Sequence, residues 1–210
     1  MLSPEPFFTQ NPLIAILRGV KPDEAVACGQ VIVDAGWRVI EVPLNSPDAF
    51  ASIKKLAEHF EPDILIGAGT VLTAQDVEQV AAAGGRLIVA PNTNKSVIDA
   101  ALAKGLVMLP GVYTPTEAFA AYDMGARYLK LFPADTLGPA YVRALKSVLP
   151  KDAHLAPTGG VSVDTIADFH AAGSRAYGIG SQLYKAGMTT GDVSRNAISL
   201  SAAAAKLKID

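Results

Sequence analysis

The chain has 210 residues, 50% of them hydrophobic, and a formal net charge of −2. That length and apolar content suit one domain with a sizeable core, and the slight acidity without any basic run argues against a nucleic-acid binder. Cys28 is the only cysteine, which excludes an intrachain disulfide and favours a reducing compartment. The opening Met1-Leu-Ser-Pro4-Glu-Pro6 lacks the basic start of a secretion signal, and no apolar stretch approaches bilayer length. The chain therefore reads as a soluble cytoplasmic globule.

Taken in chain order, residues 4–12 read as a proline-bounded lead-in, followed by short apolar runs at 13–17, 39–42, 64–66, 87–90, 107–109, 128–132, 154–156 and 176–179. Each run precedes a helix-like stretch, and the spacing of roughly 20 to 26 residues is what a strand-helix unit needs. Glycine follows the helix-like stretches at Gly36, Gly84, Gly105, Gly125 and Gly173, where a left-handed residue ends a helix. Helix starts are predicted at Thr73, Thr114 and Ser162 from their capping patterns, and an alanine-rich final helix over 192–206. Eight such units, uninterrupted by a linker, predict a single (β/α)8 TIM barrel over 1–210, with an N-terminal lead-in and an extra C-terminal helix. A doubly wound open sheet is the rival, but no glycine fingerprint follows the first strand.

In such barrels chemistry collects at the carboxyl ends of the strands. Arg18 ends the first strand, Glu41 lies in the second, Thr70 follows the third and Lys130 lies in the sixth. With a period of two, Ile40, Val42, Leu129 and Leu131 face the helices, which turns Glu41 and Lys130 into the barrel. A strand lysine ordinarily snorkels its ammonium into water, and a buried Lys-Glu pair is often only a self-satisfied ion pair. An inward lysine has no water-facing edge. Its free amine titrates near ~10.4, leaving about one molecule in 2,500 neutral at pH 7, and desolvation lowers that value toward nucleophilicity.

The seventh and eighth runs end in Pro157-Thr158-Gly159-Gly160-Val161 and Tyr177-Gly-Ile-Gly180-Ser181. Glycines let backbone amides approach an anion, and a short helix predicted over 181–185 would add its positive end. These ordinal positions commonly hold phosphate in barrels, and here amides would carry it, since neither loop contains lysine or arginine. His59, His154 and His170 lack metal-ligand spacing, and no serine elbow or activated cysteine is evident.

The segments Ile14-Ala-Ile-Leu-Arg18-Gly, Val39-Ile-Glu41-Val-Pro-Leu-Asn45-Ser-Pro47, Gly67-Ala-Gly-Thr70, Leu129-Lys130-Leu-Phe-Pro133 and Thr158-Gly-Gly160-Val resemble the class I aldolases that cleave 2-keto-3-deoxy-6-phosphoaldonates. The resemblance runs through nearly the whole chain. It implies Lys130 as Schiff-base nucleophile, Glu41 as proton shuttle, and Arg18 and Thr70 as ligands of the pyruvate-end oxygens. Gly159, Gly160, Gly180 and Ser181 would cradle phosphate. Products would be pyruvate and glyceraldehyde 3-phosphate, with no metal or organic cofactor and a homotrimeric assembly. The segment around Asn45 is most similar to the branch acting on the galactonate, since the gluconate branch tends to carry arginine there. Thr158 departs from that pattern and resembles the gluconate branch, in a loop placed to sense the C4 hydroxyl. From the residues alone, a phosphosugar isomerase and a non-catalytic phosphometabolite sensor remain alternatives.

Overall fold

A computed structural model describes residues 4–207; Met1–Ser3 of the opening segment and the last three residues lie outside it. The lead-in is a short helix, α1 (Glu5–Gln10), whose Phe7 and Phe8 are buried. Next come β1 (Leu13–Ile16), α2 (Ala25–Asp34), β2 (Val39–Pro43), α3 (Ala49–His59), β3 (Leu65–Gly69) and α4 (Ala74–Ala82). The middle of the chain forms β4 (Leu87–Val89), α5 (Lys95–Ala103), β5 (Val107–Leu109), β6 (Gly111–Val112) and α6 (Pro115–Asp123). The last part forms β7 (Tyr128–Leu131), α7 (Ala134–Lys146), β8 (His154–Pro157), α8 (Ile166–Ala171), β9 (Tyr177–Ile179) and α9 (Thr190–Ala204). Every predicted strand is present within a few residues of its expected limits.

All strand pairs are parallel. One sheet runs β5-β4-β3-β2-β1-β9 and a second runs β6-β7-β8. The array curls so that the two sheets approach at both seams. At one, the Lys130 amide donates to the Pro110 carbonyl at 2.9 Å. At the other, Thr158 bridges Gly178 and the Arg175 amide donates to the Leu155 carbonyl at 3.2 Å. The described residues thus form nine strands in two sheets where eight in one closed sheet were predicted. Pro110 is the local cause. It has no N–H to give the ladder, so the chain between Leu109 and Gly111 is divided into two short strands.

Alternation along the strands separates two cores. Leu13, Ala15, Ile40, Val42, Ile66, Ile88, Met108, Leu129 and Leu131 pack with the helices. Ile14, Val39, Leu65, Leu87, Val89, Val107, Leu109 and Tyr128 form a second cluster inside the curl, with Phe7 and Phe8 of α1. Glu41 and Lys130 share the inner face with Val39 and Tyr128, so the predicted orientation holds.

Capping boxes at Thr73–Asp76 and Thr114–Glu117 start α4 and α6 as expected. The start predicted at Ser162 is displaced. There the Thr165 hydroxyl accepts the Ser162 amide in a turn, and α8 begins at Ile166. All five predicted helix-ending glycines have positive φ. Among the described residues, no helix is long and apolar enough to cross a membrane.

Candidate active site

Glu41 is 1% exposed and Lys130 is 5% exposed, both on inner strand faces. Burial raises the Glu41 carboxyl to about 7, although Lys130 and then Arg18 pull against it. Burial also lowers the Lys130 ammonium. Glu41 opposes that shift and the Arg18 charge reinforces it. Lys130 and Glu41 make no ion pair within 4.0 Å among the described residues, and Glu41 Oε2 is buried without a hydrogen-bond partner. Such an atom costs about 1–3 kcal/mol when left unpaired. The arrangement therefore does not serve stability. It holds a carboxyl that can take or give a proton near neutrality beside an amine biased toward its neutral form. Lys130 Nζ also lies 5.0 Å from the Phe132 ring centroid, within cation–π range.

Room for this pair comes from missing side chains. The parallel register sets Gly67 opposite Glu41 and Gly111 and Ala156 opposite Lys130, with Gly69 two residues on from Gly67 and Gly178 beside Thr158. A Cβ at Gly69 would lie 1.7 Å from Glu41 Oε2, and one at Gly178 would lie 2.3 Å from Thr158 Oγ1. Both are close-packed positions to which sequence reading gave no role. The available signal was a pair of glycines two apart in a strand, Gly67 and Gly69, facing one side. Gly69→Ala must displace the Glu41 carboxyl. Turnover is expected to fall by at least ~100-fold, as for other misplaced catalytic groups, read in a steady-state assay beside a thermal melt.

The other predicted residues gather at the carboxyl ends of the strands. A cavity of about 170 Å³ is lined by Arg18, Phe132, Thr158, Gly159, Gly160, Gly180, Ser181 and Gln182, among others. Both predicted glycine loops therefore meet in one place. The amides of Gly159, Gly160, Ser181 and Gln182 donate to no protein acceptor among the described residues, leaving a ring of donors suited to an anion. The helix predicted over 181–185 is absent. The Leu183 and Tyr184 amides both bond the Gly180 carbonyl in a single turn, so no helix terminus contributes. Arg18 also belongs to this wall, and its Nη1 donates to Asn45 Oδ1 at 2.5 Å. The next residues are tied as well, the Gly19 amide donating to Ser46 Oγ at 2.9 Å. Asn45 and Ser46 thus fix the segment that carries Arg18.

Thr158 is 7% exposed, and its hydroxyl donates to the Ala156 carbonyl at 3.3 Å. Thr70, just past β3, has φ +55°, a strained setting for a β-branched residue and one that recurs at binding sites. Thr70, Glu41 and Lys130 do not line the 170 Å³ cavity. Glu41 and Lys130 are buried on the inner faces of β2 and β7, and Thr70, partly buried, follows β3.

A sequence model described as "Aldolase: KDPG and KHG aldolase" matches residues 5–198. The chain belongs to this family. Within it, a probable 2-dehydro-3-deoxy-6-phosphogalactonate aldolase of Rhizobium meliloti (strain 1021) is 51% identical over 194 residues, which are 92% of this chain and 92% of that protein. The 2-dehydro-3-deoxy-6-phosphogalactonate aldolase of Escherichia coli (strain K12) is 45% identical over 181 residues, 86% of this chain and 88% of that one. A solved structure described as native KDPGal superposes with a TM-score of 0.90 at 43% identity, covering 91% of this chain and 93% of the other. Family membership agrees with the resemblance carried by the Glu41, Lys130 and Thr158–Gly160 segments.

Proposed function

We propose that the chain is a Schiff-base aldolase cleaving 2-dehydro-3-deoxy-6-phospho-D-galactonate to pyruvate and D-glyceraldehyde 3-phosphate. The observation that carries this reading is the burial of Lys130 and Glu41 together, with shifts that favour the neutral amine and a carboxyl titrating near 7.

Neutral Lys130 attacks the C2 carbonyl to give a carbinolamine, which loses water to an iminium. Glu41 supplies and removes the protons of that exchange. The iminium then accepts the electron pair of the C3–C4 bond. As the bond breaks, Glu41 takes the C4 hydroxyl proton, and glyceraldehyde 3-phosphate leaves. Protonation of the enamine at C3 and addition of water to C2 release pyruvate and restore the amine. Arg18 and Thr70 hold the carboxylate end, and the positive charge of Arg18 favours the neutral form of Lys130 before attack. The amides of Gly159, Gly160, Gly180 and Ser181 receive the phosphate. This chemistry uses no metal or organic cofactor.

The same reading includes closure of the strands into one (β/α)8 barrel over 1–210, with β5 and β6 acting as a single strand across Pro110. The hydrogen bonds at the two seams support it. Homotrimeric assembly and a cytoplasmic location belong to it as well. The galactonate preference rests on Asn45 and its bond to Arg18, together with the names of the two relatives at 51% and 45% identity. Thr158, on the cavity wall, supports a second activity on the C4-epimeric gluconate. Turnover of the two C4-epimeric 6-phosphates on purified protein tests both points. A kcat/KM for the galactonate at least about tenfold higher is expected, a difference of ~1.4 kcal/mol. A clear preference for the gluconate contradicts the assignment.

A further inference from the structure

A second concentration of charge lies at the opposite end of the strands. There a cavity of about 240 Å³ is lined by Lys146, Leu149, Lys151, His154, Gly173 and Arg175. Lys146 closes α7, His154 opens β8, and Arg175 stands two residues before β9. Since β8 and β9 are parallel, their starts point away from the glycine loops that follow them, and this basal cavity is separate from the site described above.

Three cationic side chains and a histidine converge here, and of the four only the histidine has a carboxylate, that of Glu5, within 4.0 Å among the described residues. Among the described residues, no carboxylate lies within 4.0 Å of Lys146, Lys151 or Arg175. The two nearby acids are engaged elsewhere. Asp152 pairs with Arg127 at 3.1 Å and accepts the Tyr122 hydroxyl at 2.8 Å. Glu5 accepts the Tyr128 hydroxyl at 3.0 Å and faces His154 at 3.5 Å. Backbone carbonyls occupy one donor each of Lys146 (Ala153 O, 2.6 Å) and Arg175 (Ser174 O, 3.1 Å). They satisfy single N–H groups and leave Lys146 and Arg175 without a contacting carboxylate.

That residual charge is felt by its members. Burial lowers the Lys146 ammonium and Arg175 lowers it further, against the pull of Asp152. His154 is lowered first by burial and then by Lys146 and Arg175, against the pull of Glu5 and Asp152. Lys146 and Arg175 are half-buried and Lys151 is exposed at the rim, and like charges held partly out of water are unfavourable unless something negative enters. The remaining Lys146 and Lys151 donors and the Arg175 fork offer several N–H groups to one small acceptor, which suits a tetrahedral oxyanion with three or more oxygens.

We propose that the basal cavity bounded by Lys146, Lys151, His154 and Arg175 is a second anion site, binding a phosphate dianion either free or as the head of a small phosphate monoester. The site is independent of Lys130 and Glu41.

Equilibrium dialysis at low salt, with inorganic phosphate and in parallel with glycerol 3-phosphate, tests this. Three proteins are compared: the unaltered chain, a Lys146→Met/Arg175→Gln variant, and a Gly160→Ala variant of the upper loop. The unaltered protein should bind two phosphates per chain. The basal variant should lose one of them, with affinity weakened at least about tenfold, while aldol turnover stays unchanged. The Gly160→Ala variant should keep the basal phosphate. Binding of both probes at the basal site identifies a monoester head as an acceptable source, and binding of inorganic phosphate alone identifies the free ion. One phosphate per chain that disappears only in the basal variant supports the basal site and counts against the upper loops. Unchanged stoichiometry and affinity in the basal variant overturns the proposal. So does a single phosphate lost only with Gly160→Ala. If the double variant does not fold, the single Lys146→Met and Arg175→Gln proteins, checked by thermal melts, are held to the same outcomes.

Discussion

Lys130→Met is expected to lose turnover by at least ~10⁴-fold while gaining thermal stability, because the proposed nucleophile and an unfavourably buried cation are removed together. Methionine fills similar volume beside the Phe132 ring. The stability gain has a definite pH dependence. The folded-state pKa of Lys130 is depressed, so below it the native protein carries the full cost of a buried ammonium. As pH rises from that value toward the unfolded one, the cost fades and the variant's advantage shrinks. Melts of both proteins across the alkaline range check the sign. A variant that keeps turnover contradicts the role of Lys130, and an advantage that grows with pH contradicts its burial as an ammonium.

Glu41→Gln is expected to keep the fold and lose turnover by about 10² to 10⁴-fold, the usual worth of a positioned acid-base group. Here the sign of the linkage is opposite. The Glu41 pKa is raised from 4.5 to about 7, so the native state holds a proton that the unfolded state has released between those values. Wild-type stability therefore falls as pH rises through that window. The glutamine variant, which does not ionise, should match the wild type below pH ~4.5. Above pH ~7 it should exceed it by roughly 3 kcal/mol, a Tm difference of about 6–12 °C for a chain of this size. Paired melts at pH 4.5 and pH 8, with steady-state rates at pH 8, read both effects. Unchanged turnover removes Glu41 from the mechanism.

Much of this was legible in the chain because strand period and burial act on the same residues. A lysine and a glutamate flanked by Leu129, Leu131, Ile40 and Val42 have to face inward once the helices claim the apolar partners. The two glycine loops were legible because glycine at a strand end has few other uses, and the structure brings them to one cavity with Arg18. What stayed hidden depends on neighbours distant in sequence. The need for glycine at Gly69 arises only when β2 and β3 are in register and the Glu41 carboxyl occupies the space. The bond from Arg18 to Asn45 likewise joins residues 27 apart.

Two local expectations failed for physical reasons. Five residues after Gly180 are too few to repay helix nucleation, so 181–185 settles into a turn closed by the Gly180 carbonyl. The fifth run was expected to be a single strand over 107–109, and beyond Pro110, which has no N–H to give the ladder, Gly111–Val112 forms a further short strand. Neither change moves Lys130 or Glu41 from the inner face.

The central claim is that Lys130 is the amine that bonds to the substrate carbonyl. Borohydride reduction of the full-length protein with pyruvate, followed by peptide mass analysis, tests it directly. The account predicts complete, irreversible inactivation and a single added mass of a reduced pyruvyl group on the peptide holding Lys130. No adduct, an adduct on another lysine, or activity surviving full labelling of Lys130 would contradict it.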